Sequence, residues 1–305
     1  YDCFASVLHK IYVYFLLDLP TTIYMKNNYA MRTDMAVEFK TKARQKIAGA
    51  KFVTKKIEGL TITECVLDKV NALGRPSGHY ITLESPLLAT DESPRLCNQI
   101  IKVLTEYLRA CMATKTNILV VGIGNENLVS DSLGPRTIER IMVSRSEGGK
   151  LATGYSSTAP IVSKLCPSVL GNTGIESFDV IKSVIKQIKP DVVVAIDSLC
   201  SRALARLGTS FQIATSGIVP GSGVGNHQTE LSAKTLGVPV IAIGVPMIVG
   251  LYCLTDGDVP QNMIKCKSKI DATATDFVVS PKELDLVVDA SAKILAEAIN
   301  RANFD

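Results

Sequence analysis

The sequence predicts an α/β fold with a mostly parallel central sheet in a layered arrangement, and three observations carry that expectation. Two apolar runs, Ile118–Ile123 and Val192–Ile196, are short, unbroken and rich in Val and Ile, as strands covered on both faces are. Before the second run, Val180, Ile181, Val184, Ile185 and Ile188 fall on one face of a helical repeat. Lys182, Lys186 and Lys189 lie off that face, and Pro190 stops the helix. Helix and strand in that order close a βαβ-like crossover, and strands alternating with helices build parallel sheets.

The other elements follow in chain order. Residues 36–57 are polar and basic at helical spacing. Leu60–Leu67 and Tyr80–Leu83 alternate apolar with polar residues and are expected as strands, joined by the turn-rich Gly74-Arg75-Pro76-Ser77-Gly78. Asn98–Met112 is amphipathic at helical spacing, and Pro135 fits the first turn of a helix that runs through Ile138 and Ile141. Val238–Val245 is a third buried strand. The last helix is expected to open on a capping box, Ser280-Pro281-Lys282-Glu283, and to turn Leu284, Val287, Val288, Leu295 and Ile299 inward. No repeat, linker or low-complexity run interrupts residues 60–300, so one domain is expected.

Composition narrows the function classes. The 305 residues are 47% apolar and 20% charged, which is ordinary for a globular chain long enough to bury a large core. A net charge of +4 with no Lys/Arg block does not point to nucleic acid. The eight cysteines include no C-x-x-C pair, which suits reduced, buried thiols in a cytosolic protein. Ile11–Leu17 falls far short of the roughly 20 apolar residues a membrane span needs, and only Lys10 supplies charge just before it. Residues 1–24 are therefore expected to be an extension, Met25 a start, and no targeting signal is expected.

Several familiar chemistries drop out. Gly122-x-Gly124 follows a strand, but the third glycine position of a dinucleotide fingerprint holds Asn127. Gly221-Ser222-Gly223-Val224-Gly225 lacks the Gly-Lys-Ser/Thr of a phosphate loop, and there is no G-x-S-x-G or H-E-x-x-H. The three histidines, at 9, 79 and 227, leave little scope for a histidine metal site or for Ser-His catalysis.

Carboxylates remain. The run Ile118–Ile123 leads through Gly124 and Asn125 to Asp131, and Val192–Ile196 leads into Asp197. Ligands collect beyond the carboxyl ends of such strands, and two acids brought close split their pKa values into an acid and a base. On residue type alone, Asp131 also fits an acid complementing a helix dipole. Asp197, ending an apolar run, is expected to be desolvated, which is costly without a partner or a purpose. The glycines of Pro220–Asn226 suit either a wide turn or close backbone approach to a substrate.

Taken together, Arg32-Thr33-Asp34-Met35-Ala36-Val37-Glu38, the Gly-Ile-Gly-Asn…Ser-Asp-Ser-Leu-Gly-Pro loop, Ala195-Ile196-Asp197-Ser198-Leu199 with Ser201-Arg202, and Pro220-Gly-Ser-Gly-Val-Gly-Asn226 resemble the germination protease family of spore-forming bacteria, in the same order over about residues 31–300. The resemblance implies a three-layer, phosphorylase/hydrolase-like sandwich with helices on both faces, similar to the hydrogenase-maturation peptidases. It implies an endopeptidase that degrades small acid-soluble spore proteins at germination, made in the spore cytoplasm as a homotetrameric, self-cleaving zymogen. No direct nucleic-acid or membrane partner is implied.

The family's essential aspartates map onto Asp131 and Asp197, and its self-cleavage site onto Asp34–Met35. Residues 1–34 would then be extension and prosegment, and 35–305 the peptidase domain. Gly124, Asn125, Arg202, Gly221, Gly223, Gly225 and Asn226 would lie in substrate or active-site loops, with Arg136 and Arg202 as basic candidates near the aspartates. No cofactor is expected, with a metal bridging the two acids as the alternative. Two departures stand out: Thr215-Ser216-Gly217 replaces the usual Asp-Thr-Gly, and Pro246–Leu251 lacks the usual acid near Gly250. The rivals are an inactive, substrate-binding relative and a phosphorylase-like nucleotide binder.

Overall fold

The computed structural model describes residues 33–39, 47–57, 59–85, 94–222, 228–253 and 277–305. Residues 1–24, Met25, Arg32, Gly223, Gly225, Asn226, His9 and His227 lie outside these, so the expectations attached to them are not addressed by it. Among the described residues, a nine-stranded mixed sheet organises the fold. Its strands are β1 (Ala50–Ile57), β2 (Leu60–Leu67), β3 (Gly78–Glu84), β4 (Asn117–Gly122), β5 (Ile161–Leu165), β6 (Val192–Ser201), β7 (Ser210–Ala214), β8 (Val240–Gly250) and β9 (Val278–Val279). Their spatial order is β1-β2-β3-β7-β8-β6-β4-β5, with β9 paired to β8.

The expected parallel arrangement forms the centre: β5, β4, β6 and β8 all run the same way. An antiparallel wing, β1-β2-β3-β7, continues from β8. The central strands are covered on both faces and alternate their side chains between two cores. Ile118, Val120, Val194 and Ile196 face one core, with the long helices α1 (Pro94–Met112) and α4 (Leu284–Phe304) and the short α2 (Leu133–Glu139). Leu119, Val121, Val193 and Ala195 face the other, packed on Ile181 and Ile185 of α3 (Ser177–Ile188). Each fully buried Leu, Ile or Val contributes roughly 1.5–3 kcal/mol, so these two layers supply most of what holds the sheet between its helices.

Four local expectations are corrected. The basic repeat over 36–57 is not a helix where it is described: Ala36–Phe39 is one 3-10 turn and Ala50–Ile57 is strand β1. β1 is an edge strand whose residues are mostly exposed, so it lacks the apolar alternation that would have marked it, and its lysines discourage pairing with other chains. The capping box at Ser280 does not form, because α4 starts at Leu284 with Glu283 as N-cap and no side-chain cap bond. The second acid does not end its strand: β6 continues through Asp197 to Ser201. Likewise β8 runs on to Gly250 rather than ending at Val245.

Two glycines let α2 lie directly on the sheet. A Cβ on Gly134 would press on the Ile123 carbonyl, with Ile123 N at 2.5 Å and Ile196 O at 2.7 Å. A Cβ on Gly122 would collide with Gly134 and Ile138. Backbone cannot yield as a flexible side chain can. Gly134→Ala is therefore expected to destabilise the protein by about 1–3 kcal/mol, read as a lowered midpoint in thermal unfolding. An unchanged midpoint would mean that α2 can lift off β4 and β6 without cost.

Candidate active site

The close seat of α2 fixes the position of the loop before it. Asp131 ends a 3-10 turn, Val129–Asp131, immediately ahead of that helix. Its Oδ2 accepts the Asn125 amide at 2.8 Å, tying the loop back to the end of β4. Gly124 makes this possible, since its φ is +118° and a Cβ there would stand 3.1 Å from Asp131 Oδ1. The Asn125 side chain in turn accepts from Asn127 N at 3.0 Å and from Asn172 Nδ2 at 2.9 Å.

Asp197 is 4% exposed, and its Oδ1 accepts the Ser198 amide at 2.8 Å. Both acids line one cavity of about 280 Å³, together with Gly124, Gly221, Ser198 and a third acid, Asp34. Burial pushes the Asp197 carboxyl well above the usual carboxylate range, and the neighbouring charges of Asp131 and Asp34 push the same way. Asp131 is raised more simply, by burial opposed by the Asn125 amide. All three acids, Asp34 included, are thus shifted toward the neutral form by burial, and their titration belongs to the set.

The third acid belongs to the segment Thr33–Phe39, seated against the sheet, in which Thr33–Met35 lead into the 3-10 turn Ala36–Phe39. Asp34 N donates to Cys200 O at 3.0 Å on β6. Its carboxylate bridges two donors, the Ser222 hydroxyl at 2.7 Å and the Cys200 amide at 2.8 Å. Gln212 of β7 clamps the backbone on either side of Met35. Its Nε2 donates to Asp34 O at 2.6 Å, and its Oε1 accepts Ala36 N at 2.6 Å. Met35 and Ala36 are fully buried, and Met35 N donates to Thr33 Oγ1 at 3.0 Å.

Glu38 anchors the far side of the segment. It accepts from Thr33 Oγ1, from Ser201 Oγ at 2.7 Å, from Arg202 N at 2.9 Å and from Arg206 Nη1 at 2.9 Å. Arg206 also reaches Glu84 at 2.9 Å. The Arg202 guanidinium donates to the Glu38 carbonyl.

The sequence-predicted residues thus divide. Asp34, Gly124, Asp131, Asp197 and Gly221 meet at one cavity, Met35 and Arg202 belong to the docked segment and its anchor, and Asn125 secures Asp131. Arg136 stands apart, paired with Asp285 at 2.6 Å. The departure at Thr215 follows β7, where its hydroxyl accepts His79 N at 3.0 Å, and that at Gly250 pairs with Val278. Neither residue lines the aspartate cavity. Sequence reasoning missed Gln212 and Ser222, and assigned no role to Glu38 although it ends a quoted motif. The only trace of Gln212 is a polar residue inside the apolar Phe211-Gln212-Ile213. Among the described residues, no helix is long and apolar enough to cross a membrane.

Comparison with known proteins points to one family. A family model described as germination protease matches residues 28–266. A germination protease from Caldanaerobacter subterraneus is 34% identical over 89% of this chain and 94% of its own length. One from Clostridium acetobutylicum is 34% identical over 90% and 95%, and one from Bacillus cereus 38% identical over 75% and 66%. Among solved structures, a NiFe-hydrogenase maturation protease from Thermococcus kodakarensis aligns with 63% of this chain and 98% of its own at 19% identity and a TM-score of 0.35.

Proposed function

The chain belongs to the germination protease family, and from that premise we propose that it is an endopeptidase whose carboxylate pair, Asp131 and Asp197, activates water, and that it first cuts itself between Asp34 and Met35. The single observation that supports this most is the docked segment: a stretch of the protein's own chain places Asp34 in the wall of the cavity that both acids line, with its backbone clamped by Gln212 and Cys200.

In this mechanism, ionised Asp131 takes a proton from water as the water oxygen attacks the Asp34 carbonyl carbon. Gln212 steadies the carbonyl oxygen as it becomes an oxyanion. Protonated Asp197 then gives its proton toward the leaving nitrogen of Met35. The C–N bond breaks, leaving a carboxylate on Asp34 and an amine on Met35. Residues 1–34 would be the extension and prosegment, and 35–305 the mature peptidase domain. The protein substrates would be small acid-soluble spore proteins, met in the spore cytoplasm by a homotetramer.

Mass spectrometry of the full chain during incubation at mildly acidic pH tests this directly. Cleavage at Asp34–Met35, together with cleavage of an added Thr-Glu-Ile-Ala peptide, is the expected result. Intact chain and intact peptide throughout would favour an inactive, substrate-binding relative. Exhaustive chelation is expected to leave both cuts unchanged, and their loss would replace the paired-acid mechanism with a metal bridging the two aspartates.

A further inference from the structure

Cleavage between Asp34 and Met35 would divide the contacts of the docked segment into two groups. With the residues up to Asp34 go the backbone bond to Cys200 O, the Gln212 Nε2 bond to Asp34 O, and both bonds to the Asp34 carboxylate. The Thr33 hydroxyl goes too, and with it one donor to Glu38 and the acceptor of Met35 N. Met35–Phe39 would stay joined to the domain, and its own contacts are made to the domain rather than to the departing half. Ala36 N donates to Gln212 Oε1 at 2.6 Å. Glu38, its side chain 4% exposed, accepts from Ser201 Oγ at 2.7 Å, Arg202 N at 2.9 Å and Arg206 Nη1 at 2.9 Å. The Arg202 guanidinium donates to the Glu38 carbonyl, and Glu38 N donates to Met35 O at 3.0 Å, which ties this anchor to the residue after the cut through one turn. Phe39 stands edge-on to the Tyr80 ring with centroids 6.0 Å apart, and Arg75 Cζ lies 4.7 Å from the Phe39 centroid. Met35 and Ala36 are fully buried, so apolar burial favours the same seat.

We infer that Glu38 is a positioning residue for the self-cut, and that the same anchor afterwards keeps Met35–Phe39 in the seat that the residues after the cut bond of any other substrate must take. The inference rests on the self-cleavage proposed above. The acid pair and Gln212 fix where a scissile bond can lie, so a second peptide has to displace the segment to reach Gln212 Oε1. A segment joined to the domain at Phe39 competes as an intramolecular ligand, at an effective concentration of about a millimolar. Glu38 suits this hold. A carboxylate that meets a hydroxyl, an amide and a guanidinium is fully supplied with donors, and a pair whose acid is almost out of water is screened less than a surface pair. One change opposes the seat: Met35 N becomes an amine without its Thr33 acceptor, and a charged amine is costly where it is buried. The seat is therefore reversible, and release of Met35–Phe39 is a step that follows self-cleavage. Glu38 takes no part in breaking the bond.

Hydrogen exchange over residues 35–39 of the full chain, before self-cleavage and after it has run to completion, tests the retained seat without any substitution. Persistent protection is the expected result. Exchange that rises to the rate of an open chain as soon as the cut is made would overturn the inference. Glu38→Gln, studied beside the unaltered chain, keeps the length but sets an amide among three donors. It should slow self-cleavage by about tenfold, the effect of weakening one charged hydrogen bond. Once cleaved, it should lower KM for the Thr-Glu-Ile-Ala peptide by a similar factor, with the change falling on KM rather than kcat. A merely structural role for Glu38 would worsen both reactions together. Equal slowing of both, or a KM equal to that of the unaltered chain, would therefore overturn the inference and leave the peptidase reading standing. Should Glu38→Gln fail to fold, the exchange result on the unaltered chain decides alone. An intact chain and intact peptide in both proteins would overturn the peptidase reading itself, and this step with it.

Discussion

Asp197→Asn is expected to stop cleavage at Asp34–Met35 and at the same time to make the protein more stable at neutral pH. Asparagine has nearly the shape of aspartic acid, so the cavity walls and the Ser198 amide contact can persist, and lost activity would report lost proton transfer rather than lost packing. General acid–base groups contribute roughly 10²–10⁴-fold, and the cut should slow by at least that much. The stability gain follows from linkage. Burial, with Asp131 and Asp34 nearby, raises the folded-state pKa of Asp197 well above its unfolded value of about 3.9. An acid raised on folding contributes its full stability below the unfolded pKa and loses it as pH rises through the folded pKa. Between those limits the unaltered chain loses stability with rising pH, and the asparagine variant should not.

Mass spectrometry beside thermal unfolding at a series of pH values separates the outcomes. Asp131→Asn should be equally inactive but gain less, since Asp131 is half-buried and its charge is supported by the Asn125 amide. Activity in the unaltered chain should fall on both sides of an optimum, with apparent pKa values that belong to the pair. Cleavage that survives in either asparagine variant would remove the carboxylate pair from the chemistry.

The parts of this site that were legible in the sequence are those where one residue breaks a strong local pattern. Asp197 interrupts a run of buried aliphatics and so announces a cost that needs a reason. Asp131 follows a glycine-bracketed loop off the neighbouring strand, and the parallel pairing of β4 with β6 brings the two acids to one cavity. The central strands and α3 were legible for the same reason, because burial on two faces, or on one stripe of a helix, leaves a periodic trace.

What was hidden has no local trace. Arg75 lies in a turn-rich loop where charge is unremarkable, and it meets the Phe39 ring only because the antiparallel wing folds β2 and β3 onto β7. Strand β1 was hidden because an edge strand exposed along most of its length need not alternate at all. The basic candidates near the aspartates divided on the same ground. Arg136 and Arg202 are indistinguishable as residue types, and only tertiary placement sends one to Asp285 and the other to Glu38.

Gln212 is where the largest effect outside the aspartate pair is expected: Gln212→Glu should slow cleavage by roughly 10²–10³-fold, the usual cost of removing one donor to a developing oxyanion. Its amide orientation is fixed by its partners. Oε1 accepts Ala36 N at 2.6 Å and lies 3.4 Å from the Thr82 hydroxyl, which leaves Nε2 facing Asp34 O at 2.6 Å. The reversed amide would set two donors against each other at Ala36 and two acceptors at Asp34. Gly244 stands opposite Gln212 on β8, so no side chain crowds it there. Glutamate keeps the length and the acceptor toward Ala36 but has no proton for the Asp34 carbonyl when ionised, and it adds a negative charge where negative charge must build. The docked segment should therefore remain half-clamped while the bond-breaking step loses its support. Kinetics on the Thr-Glu-Ile-Ala peptide would show this as a fall in kcat larger than any rise in KM, with Gln212→Ala losing both clamps and therefore raising KM as well. If Gln212→Glu instead raised KM alone and left kcat intact, Gln212 would be a docking residue only, and the oxyanion would have to be met by another donor.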